Sequence, residues 1–219
     1  LYANTTGANN TALGYNSLIN NTTASNNTAV GYQAGYSNTT GGLNTAVGTQ
    51  ALYANTTQAY NTAVGYRALY NNAQSYNTAV GHSALTTNDG GYNLAAFGHN
   101  ALFANTTGNS MAAFGDNALN SNTTGLENTA VGSRAMIFNT TGGQNTGIGR
   151  RSLEGNTTGS QNTTLGNSAG FSTTTAAQQT FIGQTAGYSA TGGGNTFVGQ
   201  AAGSLVTTGS NNTILGRYN

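Results

Sequence analysis

Glycine keeps time along this chain. Gly14, Gly31, Gly48, Gly65, Gly81, Gly98, Gly115, Gly132, Gly149, Gly166, Gly183, Gly199 and Gly216 recur every 17 residues, with two intervals of 16. A unit that short cannot hold a pair of helices, but it suits one coil of a parallel β-solenoid, in which each coil buries its apolar side chains only by stacking on the next. The expected fold is therefore all-β: a parallel β-solenoid of about thirteen 17-residue coils, read as one uncapped domain over residues 1–219.

With the recurrent glycine placed in slot five, the unit reads N-T-A-V-G-Y-x-A-L-Y-x-N-T-T-G-x-x. Two short strands, NTAVG and xALYx, are expected on either side of a glycine corner, followed by a polar turn. Thr and Val suit strands, while Gly and Asn accept the backbone of corners. Slot four is apolar in every coil, from Leu13 and Val30 to Val198 and Leu215, and slot eight is small, as at Ser17, Ala34 and Ala202. Slot four is therefore expected to face inward. Where slot nine is Gly an aromatic usually follows, as in Gly35-Tyr36, Gly170-Phe171 and Gly187-Tyr188, and at Gly203-Ser204-Leu205 the bulk returns one residue later, which is expected to keep the core full.

Stacking at about 4.8 Å turns each slot into a column and gives thirteen coils a length of roughly 60 Å. Slot twelve is Asn ten times in succession: Asn4, Asn21, Asn38, Asn55, Asn72, Asn88, Asn105, Asn122, Asn139 and Asn156. Their amides are expected to form a hydrogen-bonded ladder. Eight of the ten also read N-T-T, the acceptor pattern for N-glycosylation. The ladder accounts for the column better, because Asn72 and Asn88 keep the Asn without the sequon and neighbouring glycans would collide.

The five Lys+Arg residues are all Arg, against four Asp+Glu, for a formal net charge of +1. That offers no field to gather nucleic acid or an anionic membrane. Cysteine is absent, so disulfides do not enter. No apolar run approaches the roughly 20 residues needed to cross a bilayer as a helix.

At NTAVGYQA, NTAVGYRAL and NTAVGHSAL the chain resembles the head repeats of trimeric autotransporter adhesins and related repeats of phage tail-fibre-like proteins. The resemblance covers almost the whole chain. It implies a left-handed β-roll, three of which pack around an axis into an adhesive rod exposed on a cell surface or a virion fibre.

Chemistry is sparse. Slot six places His82, His99 and Asp116 on consecutive coils, a possible metal-binding set weighed against a plain column of exposed turn residues. Arg134, Arg150 and Arg151, with Glu127 and Glu154 near them in sequence, suggest surface ion pairing or an anion or glycan site. Tyr15, Tyr32 and Tyr66, and Tyr2, Tyr36, Tyr53 and Tyr70, form columns that are expected to pack against the neighbouring coil or subunit, or alternatively could stack on sugars. No nucleophile and base, phosphate loop or carboxylate pair emerges, so no enzyme and no cofactor are expected. An ice-binding face of regular threonines is the less favoured alternative, because slot two shares the inward parity assigned to slot four and slots thirteen and fourteen lie in a turn.

The expectation is a structural, extracellular fibre protein, or alternatively an adhesin or tail-fibre module that binds a receptor or glycan. Its partner is chiefly itself. Slot three, set outward by the same parity, carries Phe181, Phe197 and Ile214 in its last coils and is expected to form a lateral contact. Leu1 falls in slot nine and Asn219 in slot eight, so the two ends are in phase. Leu1 and Tyr2 are expected to meet Tyr218 and Asn219 of a neighbour in head-to-tail stacking, or the chain is a window of a longer repeat protein.

Overall fold

A computed structural model describes residues 1–217; Tyr218 and Asn219, half of the expected head-to-tail contact, lie outside the described residues. The chain is a parallel β-solenoid of about twelve turns. It divides into two compact units, the first covering residues 1–110 and the second beginning at Met111.

In the first unit the main strands run from Thr11–Leu13 to Leu94–Phe97, and in the second from Met111–Phe114 to Thr213–Leu215. Within each unit successive strands pair in parallel and without slippage. Thr28, Ala29 and Val30 face Thr45, Ala46 and Val47, and Thr196, Phe197 and Val198 face Thr213, Ile214 and Leu215. A second, two-stranded sheet pairs Asn71–Asn72 with Thr87–Asn88.

Each coil turns through residues with positive φ. Slot five is glycine because its φ lies between +127° and +144°, a region closed to side chains, and because the next coil leaves no room. A Cβ on Gly132 would lie 2.6 Å from the carbonyl carbon and oxygen of Gly149. Slots seven, nine and seventeen are left-handed as well, and mostly not glycine: Arg67, Leu69 and Tyr76 have φ of 53°, 49° and 63°. Each such residue costs of order 1 kcal/mol or more. Backbone bonds between coils offset it, for example Leu69 N–H to Ala84 O at 3.1 Å and Gly65 N–H to Val47 O at 2.7 Å.

The orientation of the strands is the reverse of that expected. Slot three points into the coil: Ala29, Ala46, Ala63, Ala79 and Ala130 are buried, and so are Phe181 and Phe197, at 0% exposure. Slot four points out, with Leu13 67% exposed and Val131, Ile148, Leu165 and Ile182 also exposed. The lumen is narrow. Buried slot-nine leucines such as Leu52, Leu69 and Leu119 already reach across it, leaving space for only alanine opposite.

Phe181, Phe197 and Ile214 are therefore core residues and not an outward lateral contact. The two phenylalanine rings stack with centroids 5.0 Å apart, and Ile214 packs against the same cluster. They fit because slot nine has shrunk. A Cβ on Gly187 would meet the Phe181 ring at 2.6 Å, and one on Gly203 the Phe197 ring at 2.4 Å. The bulk lost at slot nine thus returns at slot three. The aromatic at slot ten joins a half-buried stack instead, Tyr36 on Tyr53 and Tyr53 on Tyr70, at 5.1 and 5.0 Å. Gly35 has no compensating partner, and a void of about 10 Å³ lies beside it, lined in part by Leu18, Ala29 and Leu52.

Candidate functional site

Most polar side chains of the coils serve the stacking. In the slot-twelve ladder each amide donates to the carbonyl oxygen of the Asn one coil earlier: Asn21 to Asn4 at 2.9 Å, Asn38 to Asn21 at 3.1 Å, Asn55 to Asn38 at 3.1 Å. The run continues through Asn72, Asn88 and Asn105, and in the second unit Asn139 donates to Asn122 and Asn156 to Asn139. The same amides also tie their own turn, as Asn38 does to Gly41 O at 2.9 Å. Asn156 ends the run: its carbonyl oxygen is buried without a partner, because slot twelve of the next coil is Thr173, whose hydroxyl bonds to Ala190 O. Asn21, Asn38, Asn55, Asn105, Asn122 and Asn139 are buried. A glycan on any of them would require the ladder to open.

A second ladder, at slot one, escaped the sequence analysis although the N of NTAVG records it. Asn27 accepts the Asn44 N–H at 2.8 Å and donates to Gly41 O at 2.9 Å, and Asn145 does the same for Asn162 and Gly159. At Gln179 the longer side chain keeps both bonds, accepting from Asn195 N–H and donating to Gly192 O. Conservation of a carboxamide from coil to coil was the available signal.

The outward column at slot six is exposed. Tyr15 stacks on Tyr32 at 5.6 Å, Tyr66 on His82 at 4.9 Å, and His82 lies 5.3 Å from His99. Because the rings lie along the column, their faces are covered by neighbours and their edges and hydroxyls point outward. The tyrosines thus pack on neighbouring coils, the first of the two expectations, and their covered faces are closed to the face-on stacking of sugars. The His82 and His99 rings are tilted by 43° to each other, and Asp116, in the second unit, accepts from Asn117 Nδ2 at 2.9 Å. Among the described residues no group of three or more His, Cys, Asp or Glu is placed to hold a metal ion.

The arginine cluster resolves into an internal ion pair. Glu154, 2% exposed, receives Arg134 Nη2 on one oxygen at 2.7 Å and Arg151 Nε on the other at 2.5 Å, and the Arg151 guanidinium lies 4.6 Å from the centre of the Phe171 ring. The carboxylate offsets one of the two guanidinium charges. Arg150 is exposed beside this cluster, and Glu127 accepts from Gln144 Nε2 at 3.1 Å. At the chain's start Leu1 is exposed and Tyr2 is 93% exposed.

The remaining surface is the outer face of each main sheet. It alternates Thr at slot two with an aliphatic side chain at slot four: Thr28 with Val30, Thr45 with Val47 and Thr62 with Val64 in the first unit, Thr129 with Val131, Thr146 with Ile148 and Thr180 with Ile182 in the second. No known protein family, curated protein or solved structure matches the chain.

Proposed function

We propose that the chain is a non-catalytic structural segment of an extracellular fibre, of the kind its resemblance to autotransporter heads and phage tail fibres suggests. The observation that carries this is the commitment of polar side chains to axial bonding. Asn at slots one and twelve, and Thr at slot thirteen, as in Thr22 to Thr39 O at 3.1 Å and Thr140 to Thr157 O at 3.0 Å, all bond between coils. A solenoid built this way resists bending and local opening, which serves a spacer and not a reaction centre. Each coil edge presents nearly the same donors and acceptors as the next, so one chain can continue another. Negative-stain electron microscopy across a concentration series tests this. Thin particles of constant width that lengthen with concentration are expected, and short particles of fixed length at every concentration overturn it.

A second reading, an adhesin or tail-fibre module, is favoured by the exposed slot-six column. Tyr15, Tyr32 and Tyr66 present hydroxyls and ring edges at regular height, with the Arg67 guanidinium 5.2 Å from the Tyr66 ring centre. Screening against glycans and cell surfaces tests it. Saturable binding that Tyr66→Ala abolishes is expected, and binding unchanged in that variant excludes the column.

A further inference from the structure

We propose that the Thr-and-aliphatic face of the main sheet binds ice, or the ordered water layer that grows into it. The parity that argued against such a face is the reverse of the one observed. Slots two and four both point outward, so Thr-x-Val, Thr-x-Ile and Thr-x-Leu repeat in register from Thr11 to Val80 in the first unit and from Thr129 to Leu215 in the second, while Ala95 with Phe97 and Ala112 with Phe114 depart from it.

Four properties converge on crystalline water as the ligand. The array is periodic in two directions, at about 4.8 Å between coils and about 6.6 Å between slots two and four along a strand; the shorter period is close to the oxygen repeat along one axis of ice. The array is also stiff. Slot two is Thr in eleven coils of thirteen and slot four is Val or Ile in eight, and β-branched side chains restrict χ1 more than straight chains do.

Its hydroxyls are free as well. The slot-thirteen threonines spend theirs on carbonyls of the next coil, whereas those at slot two, Thr28, Thr45, Thr62, Thr129 and Thr146 among them, have no partner among the described residues. Last, neither slot carries a charge in any coil, so no ion imposes a hydration shell of its own. A dry contact with a second copy would bury those hydroxyls at the cost of unmade bonds. A water lattice satisfies them while the methyl groups between them sit in its cages.

Ice affinity and fibre formation are separate properties. The test is retention of the purified chain in a slowly growing ice front, with inhibition of ice recrystallisation as the second readout. Wild type is expected to be retained, and Thr45→Tyr and Thr146→Tyr to lose retention with unchanged melting temperature. Thr45→Val with Thr62→Val keeps shape, removes two hydroxyls and is expected to weaken it. Thr57→Tyr and Thr158→Tyr, on exposed turns, are expected to bind as wild type does. A wild type excluded from ice, equal loss in the turn variants, or sedimentation showing this face closed by a second copy each overturns the proposal. None of these variants is expected to change particle length in the microscope, which keeps the fibre reading separately testable.

Discussion

Gly132 holds a φ of +131° with the carbonyl of Gly149 where its own Cβ would stand. Gly132→Ala therefore combines a forbidden backbone with a clash against main chain, and it is expected to cost about 3 kcal/mol or more by urea denaturation. The ladder asparagines are sensitive in a different way. Asn139 gives two hydrogen bonds and accepts one, all buried. Asn139→Ala should cost about 3 kcal/mol, since it removes a donor from the Asn122 oxygen and leaves the Asn156 amide only its bond to Gly159 O. Asn139→Asp has nearly the same shape but sets a buried carboxylate against the Asn122 oxygen, so it should be the worse of the two, and the pair of denaturation curves decides whether bonding or volume holds the column.

A coil is a balance between slots three and nine. Ala with Leu and Phe with Gly are two solutions of one volume problem, and Phe181 with Gly187 shows the second. Phe181→Ala alone should lose about 3–5 kcal/mol to the cavity, and Gly187→Leu alone drives a side chain into the ring. Combined, they recreate the Ala-and-Leu coil. A double-mutant cycle is expected to give the pair a cost well below the sum of its parts, and simple additivity would show that the slots do not share space.

The pitch, the coil boundaries and the slot-twelve ladder were legible from the glycine and asparagine periods, because those columns answer to backbone strain and to bonding along the stack. Strand facing was not. In Thr-Ala-Val both the second and third residues are apolar, and the larger was assigned to the core, whereas a lumen already crossed by Leu52 or Leu69 admits only the smaller. The Thr-x-aliphatic face was hidden by the same inversion, and with it the free hydroxyls. The placement of Glu154 was legible only in part, since its burial depends on Arg134 a coil earlier and Arg151 three residues before it.

Across the whole molecule, cohesion comes from neutral amides, backbone bonds and packing, with charge nearly absent. The ion pairs of Glu154 hold their carboxylate buried, where salt screens little. Raising ionic strength from low to roughly 1 M, where the Debye length falls to about 3 Å, should therefore leave the melting temperature almost unchanged. A large decrease would point to charged contacts that the fold does not show.

The asparagine ladder also has a direction. From Asn105 down to Asn4 in the first unit, and from Asn156 to Asn122 in the second, the amide hydrogens point toward lower residue numbers and the oxygens toward higher. A peptide-like amide carries a dipole of roughly 3.5 D, and aligned dipoles add as they do along a helix. Each unit thus holds a one-way electrical column, positive toward its earlier coils, which in the second unit stops at Asn156, where Thr173 follows. Any stack that extends this ladder must keep its polarity, so growth by reversal is refused at the level of a single amide.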